Sequence, residues 1–293
     1  MFPAPIDEYL RPATVAEALA ALGRYDAGDA MFIAGGQSLM QAIKSRMARP
    51  RALVDLQAVK ELTGICSEAA AVTIGAMTRY VTIAADARLD GYLAALRDAA
   101  AHVGDRQVRN RGTLGGSCCW NYVASCTPAV VLGLGGVMQL ASADGTREVP
   151  ADDFLIAPLE TARRDDEILL GVRFALPSGK GGSAYKKWGL VKDALPVVGV
   201  CVAVTLDAGG RCATARIALS GLAAGAQRAV SGEAALVGSA GDATSLEAVF
   251  AGVAQAVETQ ADKWASSAYR QQLIRSLGVE VARTAFARAK GEQ

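Results

Sequence analysis

The sequence predicts an α+β protein that is divided into two domains. A strand-helix-strand pattern opens the chain, and PSGKGG at residues 177–182 is its clearest linker, because Pro, Gly and Ser dominate it. Strand patterns and then helix patterns fill the remainder, an order typical of an antiparallel sheet with helices on one face. We therefore expect a first domain at residues 1–177, with subdomains near 1–56 and 57–177, and a second domain at residues 178–293.

The first domain is expected to mix helices and strands. Thr14, with Glu17 three residues later, is a suitable N-cap for the first helix. Apolar spacing and turn residues define the other elements. The predicted strands are 29–34, 52–55, 71–75, 137–142 and 147–149, and the predicted helices are 41–47, 82–87, 92–101 and 128–134.

The second domain is expected to begin with a sheet and to end with helices. A turn at residues 207–210 (DAGG) separates two of its strands. The predicted strands are 183–188, 197–206 and 212–220, and the predicted helices are 226–236, 246–257 and 267–288.

Composition excludes several classes of protein. Thirty basic and 29 acidic residues leave a net charge of +1, which gives no bulk attraction to nucleic acid. The start of the chain lacks the features of a signal peptide, and no apolar window is long enough to span a membrane. The six cysteines lack the spacing of a secreted disulfide framework. A cytoplasmic protein with reduced thiols is the simplest expectation.

Two stretches rich in glycine carry the functional prediction. The first glycine loop, residues 33–39 (IAGGQSL), ends an apolar run in a double glycine, which permits a sharp turn and close approach to a ligand. Successive amides in such a turn form an anion site suited to phosphate. The second glycine segment, residues 112–117 (GTLGGS), repeats this composition. Either stretch alone is more often an ordinary turn, but together they are able to hold one diphosphate from both sides.

Conventional nucleotide and metal motifs are missing from the sequence. No G-x-G-x-x-G follows a strand, and no P-loop signature is present. Cys118 and Cys119 are adjacent and can hardly bind one metal together with Cys126, so small buried thiols are the simpler interpretation. His102 is the only histidine and is expected to cap a helix or contact the second glycine segment. The acids at 152–153 and 165–167 are expected to be solvated.

Several motifs together resemble one known family. AGGQSLM followed by RNRGTLGGS is similar to the paired FAD-binding loops of the medium subunit of molybdenum hydroxylases, the xanthine dehydrogenase and aerobic carbon monoxide dehydrogenase family. The likeness continues through Phe2 to Pro12, VTIGAMTR at 72–79, DDEILLGVRF at 165–174, SAYKKWGL at 183–190 and VVGVCVAVTLD at 197–207. Nearly the whole chain is covered in the expected order.

The resemblance implies a fold and an FAD site. The fold is a two-part FAD-binding domain of the PCMH/vanillyl-alcohol-oxidase type, followed by a C-terminal domain with a three-stranded antiparallel sheet and a helical bundle. The flavin carries the redox chemistry, so no catalytic side chain and no metal ligand are expected. The residues implied to contact FAD are Ile33, Ala34, Gly35, Gly36, Gln37, Ser38, Leu39, Ala76, Val108, Gly112, Thr113, Gly116, Ser117, Leu169 and Lys186.

Individual roles follow from the same resemblance. The backbone of residues 34–39 would hold the pyrophosphate, and a side chain at Gly36 would occupy the space that the phosphate needs. Leu169 would cover the ring system or the adenine. Lys186 would neutralise charge near the flavin, although Lys187 is an alternative. Thr113 would line the flavin or, alternatively, serve only as a turn hydroxyl.

The family also implies partners. A large subunit with the molybdenum cofactor hydroxylates substrate, a small subunit with two [2Fe-2S] clusters relays electrons, and FAD passes them to NAD, oxygen, a quinone or another acceptor. A dimer of heterotrimers is the expected assembly. The alternatives are a stand-alone flavin oxidase or dehydrogenase, and a non-catalytic module that has lost its flavin.

One segment departs from the family pattern. Relatives commonly have a cofactor-contacting aspartate after the second double glycine, and Cys126 stands at that place in this chain. The pyrophosphate or ribose is then expected to be held by Asn121, Ser125 or Thr127.

Overall fold

The computed structural model describes residues 2–292, and its first sheet is small and parallel. Its strands pair in the order β1-β3-β2. The elements of this part are β1 (Glu8–Leu10), α1 (Val15–Leu22), β2 (Ala30–Ile33), α2 (Leu39–Lys44) and β3 (Ala52–Asp55). Thr14 caps α1 as predicted, because its Oγ1 accepts a hydrogen bond from the amide of Glu17 at 3.1 Å. The first glycine loop leaves the sheet at the carboxyl end of β2.

The second sheet has five antiparallel strands in the order β4-β5-β10-β6-β7, with β8 and β9 forming a separate short pair. These strands are β4 (Ile65–Ser67), β5 (Ala71–Gly75), β6 (Val137–Ser142), β7 (Gly145–Pro150), β8 (Leu155–Ala157), β9 (Glu160–Thr161) and β10 (Ile168–Ala175). β10 is the central strand, although the spacing of its residues predicted no element. Most of its residues are buried, so it lacks the alternation that marks a half-exposed strand.

Helices pack on this sheet and carry the second glycine segment. They are α3 (Tyr80–Ala85), α4 (Ala94–His102), α5 (Arg106–Arg111), α6 (Leu114–Trp120), α7 (Cys126–Gly133) and α8 (Ala151–Phe154). Ile74, Leu96 and Phe174 lie in the shared core and are almost fully buried. α6 was not predicted, because Gly115 and Gly116 are poor helix formers, and α5 was not predicted, because Val108 is its single apolar residue and gives no periodicity. The second glycine segment is therefore a turn followed by the first turn of α6.

The C-terminal part is an antiparallel sheet covered by helices, as predicted. Its elements are β11 (Gly181–Trp188), β12 (Val198–Leu206), β13 (Cys212–Ser220), β14 (Gln227–Arg228), α9 (Val230–Leu236), α10 (Ala243–Ala256) and α11 (Ser267–Lys290). The prediction of three strands was wrong by one, because β14 adds two residues beside β13. So short a strand carries no detectable alternation.

Ionic contacts join the two parts of the chain. Arg288 of α11 donates to Asp98 of α4 at 2.6 Å, and Asp152 of α8 pairs with both Arg216 and Arg228. Asp152 therefore forms ion pairs that link the two parts of the chain and is not a purely solvated acid. Glu167 is only 2% exposed and pairs with an arginine of β7, which also contradicts the expectation of a solvated residue. The arginine holds the pKa of Glu167 below its ordinary value.

α11 is the longest helix of the described chain, with 24 residues, and lies across β11 and β12. Its sequence combines apolar residues that pack on the sheet with several arginines. Within residues 2–292, no helix is both long enough and apolar enough to cross a membrane.

The contact between α10 and α11 generates a prediction about stability. A Cβ on Gly278 would overlap the ring of Phe250, whereas a Cβ on the exposed Gly252 would meet nothing within 4 Å. We expect Gly278→Ala to lower the free energy of unfolding by about 1–3 kcal/mol through overpacking. The matched change Gly252→Ala should raise it by about 0.5–1 kcal/mol, because alanine favours a helix. Urea unfolding followed by circular dichroism measures both, and equal effects would contradict the packing described.

Candidate functional site

The first glycine loop connects β2 to α2 and is anchored at both ends. Ile33 and Leu39 are buried, whereas Gln37 and Ser38 between them are exposed. Gly36 has a φ of +74°, a left-handed conformation that other residues adopt only with strain. The backbone therefore turns sharply at the surface, between two buried apolar residues.

The backbone amides of this loop are free donors. Within residues 2–292, the amides of Gly36, Gln37, Ser38 and Leu39 donate to no protein acceptor. Ser38 stands at the N-cap of α2, and its side chain makes no capping hydrogen bond. Unpaired amides in succession attract an anion such as a phosphate group. The unpaired amides of the loop are therefore suitable hydrogen-bond donors for a diphosphate.

The first glycine loop touches the second glycine segment directly. A Cβ on Gly35 would overlap the carbonyl oxygen of Arg111 and lie 3.0 Å from the Cα of Gly112. A Cβ on Gly116 would lie 3.2 Å from the Cβ of Ala34. The two stretches therefore meet backbone to backbone. Glycine at position 35 is required for this contact.

The protein itself also restricts position 36 to glycine. A Cβ there would lie 3.3 Å from Cγ of Met40 and 3.4 Å from Cδ1 of Ile33, in addition to the strain of a positive φ. Crowding inside the protein and the backbone conformation therefore explain this glycine, with no reference to a ligand.

The second glycine segment is held from within the protein. The amide of Gly115 donates to the carbonyl of Ala76 at 2.8 Å, and the amide of Ser117 donates to that of Thr113 at 3.2 Å. Thr113 caps α6, because its Oγ1 accepts from the amide of Gly116 at 3.1 Å. These amides are already paired, so the segment forms a fixed wall beside the loop. The amide groups that remain free to donate hydrogen bonds therefore belong to the first glycine loop.

Ala76 and Val108 support this wall. A Cβ on Gly115 would lie 2.6 Å from the Cβ of Ala76, so the buried Ala76 lies directly against the segment. Val108 is half-buried in α5, and its carbonyl accepts from the amide of Gly112 at 2.7 Å. Both residues adjoin the second glycine segment.

Leu169 lies in the core of the five-stranded sheet. Only 4% of it is exposed, and it packs in the main apolar cluster of the first domain. The neighbouring Leu170 is half-buried and packs on the same smaller cluster as Ala34 of the first glycine loop. Sequence did not distinguish the two leucines, because the pairing of β10 shifts between Leu169 and Gly171.

Lys186 and Lys187 point to opposite faces of β11, as neighbours in a strand do. Nζ of Lys186 pairs with Glu280 of α11 at 2.5 Å. Lys187 is half-buried, its Nζ donates to the carbonyl of Ala194, and Cys126, Asp193 and Arg109 lie near it. Burial lowers the pKa of Lys187 from its ordinary value. Of the two lysines, Lys187 faces the first domain.

The segment that departs from the family is folded tightly. Asn121 has a φ of +42°, and its Nδ2 donates to the carbonyls of Ala157 at 2.8 Å and Glu160 at 3.0 Å. Thr127 hydrogen-bonds a buried tyrosine hydroxyl of α3. Ser125 precedes α7, and its side chain makes no capping hydrogen bond. Of the three candidates, Ser125 has the least committed side chain.

The cysteines of this segment are neutral thiols. Burial raises the pKa of Cys118 and Cys126 and raises that of Cys119 to about 11. Over the part of the chain that the structure describes, no three His, Cys, Asp or Glu side chains form a group that could hold a metal ion. His102 lies in the last turn of α4, where Nδ1 is 2.6 Å from the carbonyl oxygen of Asp98.

Comparison with known proteins agrees with this geometry. Residues 4–177 match the family described as the FAD binding domain in molybdopterin dehydrogenase, and residues 183–285 match the CO dehydrogenase flavoprotein C-terminal domain. The carbon monoxide dehydrogenase medium chain of Afipia carboxidovorans is 32% identical over 291 residues, which cover 99% of this chain and 100% of that protein. The 6-hydroxypseudooxynicotine dehydrogenase complex subunit alpha of Paenarthrobacter nicotinovorans is 31% identical over 288 residues, which cover 98% of this chain and 96% of that protein.

Solved structures share the whole fold. The carbon monoxide dehydrogenase of Hydrogenophaga pseudoflava that lacks the Mo-pyranopterin moiety superposes with a TM-score of 0.91 at 32% identity, covering 98% of this chain and 99% of that one. Quinoline 2-oxidoreductase from Pseudomonas putida 86 superposes with a TM-score of 0.89 at 30% identity, covering 99% of both chains. The chain therefore belongs to the FAD-binding medium subunits of the molybdenum hydroxylases, the xanthine dehydrogenase and aerobic carbon monoxide dehydrogenase family, and is an oxidoreductase component with FAD as its cofactor.

Proposed function

We propose that this chain is the electron-transfer subunit of a heterotrimeric molybdenum hydroxylase. It takes electrons from the [2Fe-2S] clusters of a small partner subunit and passes them to an external acceptor. The observation that carries the proposal is the contact between the first glycine loop, whose amides are unpaired, and the second glycine segment. This arrangement suits a dinucleotide such as FAD. Its diphosphate needs hydrogen-bond donors, and the rest of the molecule needs a surface that it can pack against closely.

The first glycine loop would supply the electrostatic part of binding. The amides of residues 36–39 would donate to the diphosphate, and the exposed hydroxyl of Ser38 would add a further donor. The half-buried ammonium of Lys187 would contribute positive charge from the second domain. Bound FAD supplies the capacity to accept and release electrons.

The second glycine segment would supply a surface on which the cofactor packs closely. Gly116 presents backbone without a side chain, Gly112 is buried, and the hydroxyl of Ser117 stands half-buried beside Gly116. The hydroxyl of Thr113 accepts from an amide of α6, so this residue acts first as a helix cap. Leu170, which packs on the same cluster as Ala34, is better placed than Leu169 to contact the cofactor.

The assignment as a subunit is supported by the relatives. Two of them are named as a medium chain and as a subunit of a dehydrogenase complex, and each aligns with this chain over at least 96% of its own length. A large molybdenum-cofactor subunit and a small iron-sulfur subunit are therefore the partners that we propose. A stand-alone flavin oxidase is less well supported, because the altered segment holds neutral, buried thiols rather than a new reactive group.

The contact at Gly35 leads to a prediction about FAD binding, because a side chain at this position should disrupt the cofactor site. Gly35→Ala places a methyl group on the Arg111 carbonyl, so the loop and the segment must separate. We expect FAD to bind about 100-fold more weakly, which corresponds to ~2.7 kcal/mol. Titration of the apoprotein with FAD, followed by flavin fluorescence, measures this. Gly179→Ala is the control, since a Cβ there meets nothing within 4 Å, and unchanged affinity in Gly35→Ala would contradict the site.

The two lysines of β11 provide a matched pair. Lys187→Met should weaken FAD binding about tenfold, because a charged hydrogen bond or ion pair of roughly 1.4 kcal/mol is lost. Lys186→Met should leave the affinity unchanged, since this side chain pairs with Glu280 on the other face of the strand. The same titration measures both variants. A larger effect at Lys186 would show that the flavin lies on the face covered by α11.

The partners are tested with the intact complex. We expect the tagged full-length chain, expressed with its neighbouring subunits, to co-purify with molybdenum and iron-sulfur clusters. Rapid mixing with substrate should then reduce the clusters before the flavin, because electrons reach FAD through them. Visible absorption distinguishes the two centres. Purification as a lone chain that oxidises a substrate by itself would support the stand-alone alternative instead.

A further inference from the structure

Arg79 stands directly opposite Thr113 of the second glycine segment. The two residues form an isolated antiparallel bridge. The residue after each of them donates its amide hydrogen to the carbonyl of the residue before the other, at 3.1 Å in both cases. Because these hydrogen bonds flank the pair and do not join it, Arg79 and Thr113 form a non-hydrogen-bonded pair. In such pairs the two Cα atoms are closest, about 4.5 Å apart.

This pairing places the side chain of Arg79 beside the contact between the two glycine stretches. Side chains of directly opposed residues lie on the same face of an antiparallel pair. On that face, Oγ1 of Thr113 accepts from the amide of Gly116 at 3.1 Å. A Cβ on Gly116 would in turn lie 3.2 Å from the Cβ of Ala34 in the first glycine loop. Arg79 therefore shares a face with the place where the loop and the segment meet.

The charge of Arg79 is available to a ligand, although its backbone is fixed. Its side chain is exposed, and among residues 2–292 its guanidinium takes part in no ion pair and no hydrogen bond. Its backbone stands at the N-cap of α3, where its carbonyl accepts from the amides of Thr82 and Ile83 at 3.0 and 3.1 Å. Arg79 thus presents an unpaired cation from a fixed point at the edge of the site.

We propose that Arg79 is a further cofactor-binding residue, whose guanidinium pairs with the diphosphate of FAD. The amides of residues 36–39 donate to the diphosphate from the first glycine loop, and Arg79 donates from the side of the second glycine segment. A guanidinium suits this task because its planar fork forms two parallel hydrogen bonds to phosphate oxygens. The inference rests on the proposed FAD site and adds to it a positive charge from the first domain.

The test uses the full-length apoprotein and FAD as the probe. Arg79→Met keeps a long side chain and removes the charge, and we expect the Kd for FAD to rise about tenfold at low salt, because a charge-assisted hydrogen bond is lost. Arg79→Lys keeps the charge without the fork, so its Kd should stay within about threefold of the wild-type value. An unchanged Kd in Arg79→Met would overturn the inference. If Arg79→Met does not fold, Arg79→Gln takes its place under the same criterion.

Salt dependence separates a charge contact from a structural role. The wild-type Kd should rise with the concentration of NaCl, because salt screens the attraction between the cation and the diphosphate. In Arg79→Met this rise should be less steep. A structural defect would weaken binding by the same factor at every salt concentration, so parallel salt curves for the two proteins would contradict the proposed contact.

A matched arginine controls for the general charge of the protein. Arg283 of α11 is also exposed and forms no ion pair in the described part of the chain. Arg283→Met should leave both the Kd and its salt dependence unchanged, and a loss as large as that of Arg79→Met would overturn the assigned position. A wild-type apoprotein that binds no FAD would instead overturn the proposed function.

Discussion

The backbone contact between Gly35 and residues 111–112 is the constraint on which the site depends. No side chain fits between them, so the first glycine loop and the second glycine segment approach to backbone distance. An apolar cluster that includes Val54, Ala141 and Ile168 also joins the parallel sheet to the five-stranded sheet. This close approach brings the free amides of residues 36–39 beside the start of α6. Loss of the contact would move these free amides away from the second glycine segment.

The two glycine stretches share a composition but have different physical roles. The first leaves its amides unpaired and exposes Gln37 and Ser38, so it is an electrostatic element. The second pairs its amides with the segment after β5 and with Thr113, so it is a rigid element. In the proposed site, the first glycine loop therefore provides hydrogen-bond donors and the second glycine segment provides a fixed surface.

The alternation of β11 determines which of its residues face the first part of the chain. Residues 183, 185 and 187 face the first domain, where Ser183 accepts from the amide of Ala95 at 3.0 Å. The even-numbered residues face α11. The ion pair between Asp98 and Arg288 holds the strand in this register against α4. Lys187 therefore lies partly buried on the side of β11 that faces the first part of the chain.

Sequence alone determined most of the elements, the two glycine stretches and the family. These features could be predicted because each depends on a few neighbouring residues. Examples are the helix cap at Thr14, the alternation of apolar residues in strands and the composition of the glycine stretches. Tertiary structure decided the central position of β10, the helical state of α6, the burial of Glu167 and which of Lys186 and Lys187 pairs with α11. Each of these depends on contacts between residues far apart in the chain, and such contacts leave no periodic trace in sequence.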